Sequence, residues 1–361
     1  MKKKIKLFDP YVTSIEKKYV LSALYSHNWA SGAGSNFVKQ FENKFNKYLG
    51  AKDSVSVNSG TAALHLALLA SDVSGKQVIV PSLTFVSTAH AALYNSAKVV
   101  FSDIDPNTLC MDPDSVKKKT TKNTKVIMPV HFGGMPADMD KLQKIANESN
   151  SSLIDDAAHA AGAKFRGKRI GSIGDMSCFS FHPVKNLAMP TGGLVAINHT
   201  NHKKIKQILL SGRWCGITNR KETNYDIKAL GWNFYMNEFS AAIGLAQLST
   251  LDKMNKKRVS VAAKFHKDLN VQRKMPLNKE CSYHFYWILV KNRDQLRKKL
   301  SKMGIETGIH YKPVHKMSMY ATGVKLPVTE QISQQIVTLP THPNLADDDV
   351  NRIIDSVNSL L

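Results

Sequence analysis

Apolar positions along the chain follow two rhythms. Phe37, Phe41, Phe45 and Tyr48 recur at helical spacing and Gly50 follows as a stop, the pattern of an amphipathic helix ended by glycine. Residues 10–27 read as a helix ahead of it, and the turn residues from Asn28 to Gly34 separate the two. From residue 54 onward, short apolar runs alternate with helical stretches. Strands are predicted at 54–57, 77–80, 98–101, 126–130, 152–154, 176–181 and 194–197, and helices at 62–69, 86–95, 138–147, 201–212 and 237–250. This alternation predicts an α/β fold with a mostly parallel, seven-stranded sheet between helices. In such sheets ligands lie at the carboxyl ends of strands. Gly60, Phe85, His131, Asp156 and Lys185 all fall just past strand ends and are expected to meet in one crevice. A new segment is read from about Leu251, with a strand at 286–290, a helix at 295–303 and a terminal helix at 347–361. The expected organisation is a large domain, 1–250, and a smaller α+β C-terminal domain, 251–361, with the N-terminal helix packing on the smaller one.

At 361 residues the chain has room for both units. No apolar run approaches a membrane span, and none follows the basic stretch Met1–Lys6, so no signal peptide is expected. Four scattered cysteines, Cys110, Cys178, Cys215 and Cys281, form no CxxC pair. That predicts neither zinc nor a disulfide framework and suits a reducing cytoplasm. A formal charge of +22 raises nucleic-acid binding. However, the lysines are spread in small clusters, such as Lys117 to Lys122, with no interleaved aromatics for base stacking. The predicted reading is a lysine-rich solvated surface, favourable also to a phosphate-bearing substrate.

The candidate chemistry centres on Ser180-Phe181-His182-Pro183-Val184-Lys185-Asn186. A lysine held at the end of a buried strand is desolvated, which favours the neutral amine that forms a Schiff base with an aldehyde. Pyridoxal phosphate supplies such an aldehyde. Its ring nitrogen must stay protonated, which a neighbouring carboxylate, Asp156, can ensure. Its phosphate needs N–H donors and hydroxyls, and Gly60, Thr61 and Ser180 offer them where a strand turns into a helix. Phe85 offers a flat apolar face, and His159 can reach the phenolic oxygen.

Together with these motifs, the runs Trp29-Ala30-Ser31-Gly32, Asn58-Ser59-Gly60-Thr61-Ala62-Ala63-Leu64, Pro81-Ser82-Leu83-Thr84-Phe85, Pro136-Ala137-Asp138-Met139-Asp140, Asp156-Ala157-Ala158-His159 and His310-Tyr311-Lys312-Pro313 span nearly the whole chain. In them the chain resembles the DegT–StrS group of pyridoxal 5'-phosphate-dependent nucleotide-sugar aminotransferases, which have the fold type I architecture. The resemblance implies that Lys185 is the Schiff-base lysine and proton shuttle. Asp156 becomes the ring-nitrogen partner, Phe85 the stacking ring, and Ser180 with Gly60 and Thr61 the phosphate cradle. It puts His159 beside the phenolic oxygen and Trp29, His310 and Tyr311 toward the substrate. It gives Asn233 to the cofactor phosphate of a neighbouring subunit, hence a homodimer with shared active sites.

The implied reaction moves an amino group, from glutamate, onto a keto-sugar carried by a nucleotide diphosphate. The His-Pro-Val-Lys run is closer to the branch acting at carbon 4 of 4-keto-6-deoxy sugars than to the carbon 3 branch. The related sugar dehydratases carry histidine in place of the lysine, and an intact Lys185/Asp156 pair weighs against a non-catalytic ligand-binding protein of the same fold. Three departures fall near substrate-facing elements: Tyr235 where an arginine is usual, Ser240 where a glutamine is usual, and Met189-Pro190-Thr191 after the lysine.

Overall fold

The computed structural model describes residues 3–321 and 323–361. Its main sheet contains β1 (Asp53–Val57), β2 (Gln77–Pro81), β3 (Lys98–Ser102), β4 (Thr124–Ile127) and β5 (Ser152–Asp156). A small side ribbon, β6 (Lys164–Phe165) and β7 (Lys168–Arg169), precedes the remaining two strands, β8 (Met176–Ser180) and β9 (Gly193–Ile197). The spatial order is β1-β9-β8-β5-β4-β2-β3. Only β9 runs antiparallel to its neighbours, β1 and β8. All seven expected strands are present and the sheet is mostly parallel. The run expected at 126–130 ends its ladder at Ile127, just before Pro129, which has no N–H to give.

Side chains alternate across the sheet as strand geometry requires. Val78, Val126 and Ile154 face one core, packed by α3 (Gly60–Ala70), α4 (Ser87–Tyr94) and α7 (His202–Arg213). Ile79, Ile127 and Leu153 face the other side. There α2 (Asn36–Leu49) lays Phe41 and Phe45 against Phe179 and Phe181 with edge-to-face ring contacts near 5.3 Å. Gly50 ends α2 at φ +76°, the left-handed stop that glycine allows.

Several boundaries differ from expectation, each for a physical reason. The helix expected from residue 10 begins at Ser14 as α1 (Ser14–Tyr25). Thr13 caps it and Glu16 Oε2 accepts from the Thr13 N–H at 2.7 Å, a reciprocal capping box. The helix end expected at residue 250 also moves. The helix expected at 237–250 runs on to Asp268 as α8 (Glu238–Asp268). Leu251, Met254, Arg258, Ala262 and Phe265 continue its buried face at spacings of three and four. The lysines between them point to solvent. α1 packs on the first half of α8, where Gln247 Nε2 donates to Glu16 Oε1 at 2.7 Å. The segment ahead of α1 is what reaches the second sheet's unit, since Ile5 bridges to Ile305.

That second sheet has three antiparallel strands, β12 (Arg273–Lys274), β13 (Tyr286–Leu289) and β14 (Ile336–Leu339). They follow an exposed hairpin, β10 (Ile217–Lys221) and β11 (Asn224–Ile227), which was not expected. The unit is completed by α9 (Arg293–Lys302), α10 (Pro327–Gln335) and α11 (Asp347–Asn358); α5 (Pro113–Lys119) and α6 (Met139–Glu148) belong to the main layer. Among the described residues no helix is long and apolar enough to cross a membrane.

Candidate active site

A cavity of about 340 Å³ opens where the carboxyl ends of β2, β5 and β8 meet the start of α3 and the segment around Tyr311. Lys185 lies in it, at the end of a turn that its own N–H closes by donating to His182 O at 2.8 Å. Burial pulls its amine down to about 8, against the opposing pull of the Asp156 carboxylate. Asp156, at the end of β5, is 5% exposed. Its Oδ2 accepts from Thr88 Oγ1 at 2.8 Å and its Oδ1 from the Ala158 N–H at 3.1 Å. Burial raises its carboxyl, while these donors and Lys185 act the other way.

His159 has one consistent proton placement. Its Nδ1 accepts from the Gly133 N–H at 3.3 Å, and burial holds it neutral, well below the usual imidazole range. The proton is therefore on Nε2, which donates to Tyr311 Oη at 3.1 Å. Tyr311 keeps its own hydroxyl proton for another acceptor in the cavity.

The opposite end is built for close approach to backbone. α3 starts at Gly60, and Ser59 Oγ accepts the Ala62 N–H, leaving the N–H groups before it to a further acceptor. A Cβ at Gly60 would stand 2.6 Å from Ser180 Cβ, so glycine here is a steric requirement. Thr61 and Ser87 hydroxyls lie 2.8 Å apart, and Thr191 Oγ1 donates to Asn58 O. Phe85 is 57% exposed, and its ring centroid is 6.1 Å from that of Tyr311. An exposed phenyl face, a helix start with hydroxyls around it, a buried carboxylate and a depressed lysine can together receive a flat phosphorylated ring bearing a basic nitrogen and an aldehyde.

The segment bearing His310 and Tyr311 is braced from behind. His310 Nδ1 is 2.7 Å from Thr338 Oγ1. Farther along, His315 Nδ1 takes the Ser82 hydroxyl at 2.5 Å, and its Nε2 faces Glu330 Oε1 at 3.2 Å.

Nine expected residues line this one cavity: Gly60, Thr61, Phe85, Asp156, His159, Ser180, Lys185, His310 and Tyr311. Two do not. Trp29 is half exposed with its indole N–H donating to Leu24 O. Asn233 is exposed, its carbonyl accepting from Asn58 Nδ2. His131, expected in the crevice, is fully buried behind it and pairs through Nε2 with Asp155 Oδ2 at 3.2 Å. Sequence reasoning missed Thr88 and Ser87. Their signal was a pair of hydroxyls at the start of an alanine-rich helix just after Phe85. It also missed the role of Asn186, whose buried amide donates to Asn255 Oδ1 and Ser282 O; those partners are distant in sequence and leave no local trace.

A family model described as the DegT/DnrJ/EryC1/StrS aminotransferase family matches residues 11–358. GDP-perosamine synthase of Escherichia coli O157:H7 is 35% identical, over 99% of this chain and 98% of its own. The structure of Helicobacter pylori PseC, an aminotransferase involved in the biosynthesis of pseudoaminic acid, superposes with a TM-score of 0.92 at 27% identity, covering 99% of both chains. The Streptococcus pneumoniae protein Spr1654 in its PLP form superposes with a TM-score of 0.92 at 26% identity, covering 99% of this chain and 98% of that one. The chain therefore belongs to the DegT/DnrJ/EryC1/StrS aminotransferase family and is a pyridoxal phosphate-dependent sugar aminotransferase of fold type I.

Proposed function

We propose that this enzyme moves an amino group from glutamate to carbon 4 of a 4-keto-6-deoxyhexose carried on a nucleotide diphosphate. The observation that carries the reading is the pairing of a lysine amine near 8 with a buried carboxylate across one cavity. The likeness to GDP-perosamine synthase supports a nucleotide-linked sugar.

Pyridoxal phosphate, when bound, supplies the electron sink for breaking bonds at the amino-bearing carbon. The residues are assigned as follows. Asp156 holds the proton on the ring nitrogen, and Thr88 fixes the carboxylate. Lys185 Nζ is the covalent anchor and the base that takes and returns the proton at the substrate carbon. Gly60, Thr61 and Ser180 hold the phosphate, Phe85 covers the ring, and His159 stands beside the phenolic oxygen. His310 and Tyr311 face the sugar.

Among the described residues no arginine lines the cavity, so the donor's carboxylates fall to the histidines there or to a second subunit. That requirement, with Asn233 exposed outside its own cavity, supports a homodimer with shared sites; Trp29 is assigned to the sugar on the same footing. The division into 1–250 and 251–361 and a cytoplasmic location belong to the same proposal.

The test is a panel of nucleotide-linked 4-keto and 3-keto sugars with nitrogen-15 glutamate, read by mass spectrometry. The expected result is one labelled amino group at carbon 4. Amination at carbon 3, or transfer without label from glutamate, overturns the corresponding part.

The lysine makes a separate pH prediction. Its folded value lies below the ordinary lysine value of 10.5, so the neutral amine accumulates as pH rises through about 8. The rate at which cofactor-free protein captures pyridoxal phosphate should climb up to about pH 8 and level off beyond it. Stopped-flow absorbance checks this; a rate still climbing toward the ordinary lysine value sinks it.

A further inference from the structure

Behind His159 the cavity wall is a column of rings that runs out to the start of the chain. Tyr311 stacks on His159 (6.2 Å, 21°), His159 on His284 (4.5 Å, 24°) and His284 on Phe8 (5.0 Å, 15°). His284 is 2% exposed and faces Asn186 Oδ1 through its Nδ1 at 3.2 Å. Since the Asn186 amide nitrogen is already donating twice, its oxygen is the acceptor and His284 carries the proton on Nδ1. Phe8, half-buried, is the outermost ring.

The segment carrying Phe8 is strapped down along its length. Ile5 exchanges backbone hydrogen bonds with Gly304 and Glu306 at 2.8 and 2.9 Å. His342 Nε2 donates to Lys6 O at 3.0 Å, and Asn344 Nδ2 donates to Asp9 Oδ2 at 2.7 Å. A chain start held by this many partners, delivering one ring to the end of a stack that reaches the cavity, is more than a loose terminus.

We propose that Phe8 is a positioning residue for the reaction: its ring closes the outer end of the column and, through His284, holds His159 in the orientation that aims Nε2–H at Tyr311. The proposal rests on the reading that His159 stands beside the cofactor's phenolic oxygen.

The charges around the column explain why closure matters. His159 faces Lys185, His310 and His131; His284 faces His159, Lys185, Arg258 and His310. Burial holds both imidazoles well below their usual range, and the neighbouring cationic groups act in the same direction. With the flat Phe8 ring gone, neither alanine nor leucine covers the His284 face as the stacked ring does, so water reaches the imidazole and its proton uptake moves to higher pH. A protonated His284 then lies flat against His159 and turns it from Tyr311.

The experiment compares wild type with Phe8→Ala, Phe8→Leu and Phe8→Tyr. Exchange of the imidazole C2 hydrogen, read by mass spectrometry on cofactor-free protein, gives the titration midpoint of His284. Visible absorbance of the cofactor-loaded protein gives the pH midpoint of its band. Phe8→Ala should raise the His284 midpoint and shift the band's midpoint, with kcat down on the order of 10-fold and KM little changed. Phe8→Tyr, which keeps a ring, should restore all three. Phe8→Leu, which keeps apolar volume without a ring, carries the test if the alanine variant does not fold, and should retain the shift in the band. Wild-type midpoints in Phe8→Ala or Phe8→Leu, or a Tyr variant as impaired as Ala, overturn the proposal. A wild type lacking any Lys185-dependent band overturns the underlying reading, and this inference with it; a normal band indifferent to Phe8 overturns the inference alone.

Discussion

Lys185→Ala should lose turnover by roughly 100- to 10,000-fold, the range that a positioned proton-transfer group contributes, and lose the visible band of cofactor-loaded enzyme altogether. The cavity offers no substitute. Its other basic side chains, His159, His182 and His310, are all moved below the usual imidazole range by burial, and none is a primary amine able to take the aldehyde covalently. Lys185→Arg should fail equally, because a guanidinium stays charged where the lysine is near 8. The measurement is single-turnover transamination alongside the absorption spectrum. A Lys185→Ala enzyme that keeps a tenth of its activity sinks the assignment of both roles.

Arg213→Ala should cost roughly 3–5 kcal/mol of stability, the range for breaking a buried ion pair by removing one member. Arg213 is 1% exposed. Its Nη1 reaches Glu42 Oε1 at 2.7 Å and Ser56 O at 2.8 Å, and its Nη2 reaches Ala33 O at 3.3 Å. Glu42 Oε1 also accepts the Ser56 N–H and O–H, each at 2.8 Å. One guanidinium thus pins α2, α7 and β1 together just before the chain enters α3. Its removal strands a carboxylate with only 16% of its side chain exposed and leaves a strand carbonyl without its donor. A double change to apolar residues, Glu42→Leu with Arg213→Met, should cost less than Arg213→Ala alone, since no buried charge is then left over. Urea unfolding of the two variants beside wild type decides it; a single-variant loss below about 1 kcal/mol would show the pair is relaxed or hydrated.

These two groups mark what the sequence made legible. Lys185 was readable because a strand, a turn and a glycine pair bracket it, so local pattern alone put it at a sheet's edge. The seven strands are readable because most are short apolar runs buried on both faces, with β3 partly exposed at the sheet edge and β1 alternating serine with valine, and α2 because its four rings and Gly50 obey a single period. α8 was cut short because Lys253, Lys256 and Lys257 interrupt the apolar count, although the buried face passes unbroken beneath them. The β10–β11 hairpin was invisible because residues 219–227 are exposed on both sides, leaving no alternation to detect. Residues just past strand ends that line the cavity are legible from local pattern, whereas Thr88 and the Asn186–His284 contact depend on tertiary pairings across 68 and 98 residues. Trp29 and Asn233 lie outside the cavity of their own chain.

The position of β9 has a consequence for how the molecule comes into being. β1 is an edge strand whose only sheet neighbour is β9, with Asp53 opposite Ile197 and Val57 opposite Gly193. During synthesis β1 therefore waits for well over a hundred residues with its backbone unpaired, and Gly60 cannot meet Ser180 until β8 and β9 have emerged and zipped. Such distant closure makes folding slow and exposes a sticky strand meanwhile. The Gly60–Ser180 end of the pocket is thus the last part of the main sheet to form, and a nascent chain stalled before residue 197 has Lys185 but an unfinished pocket around it.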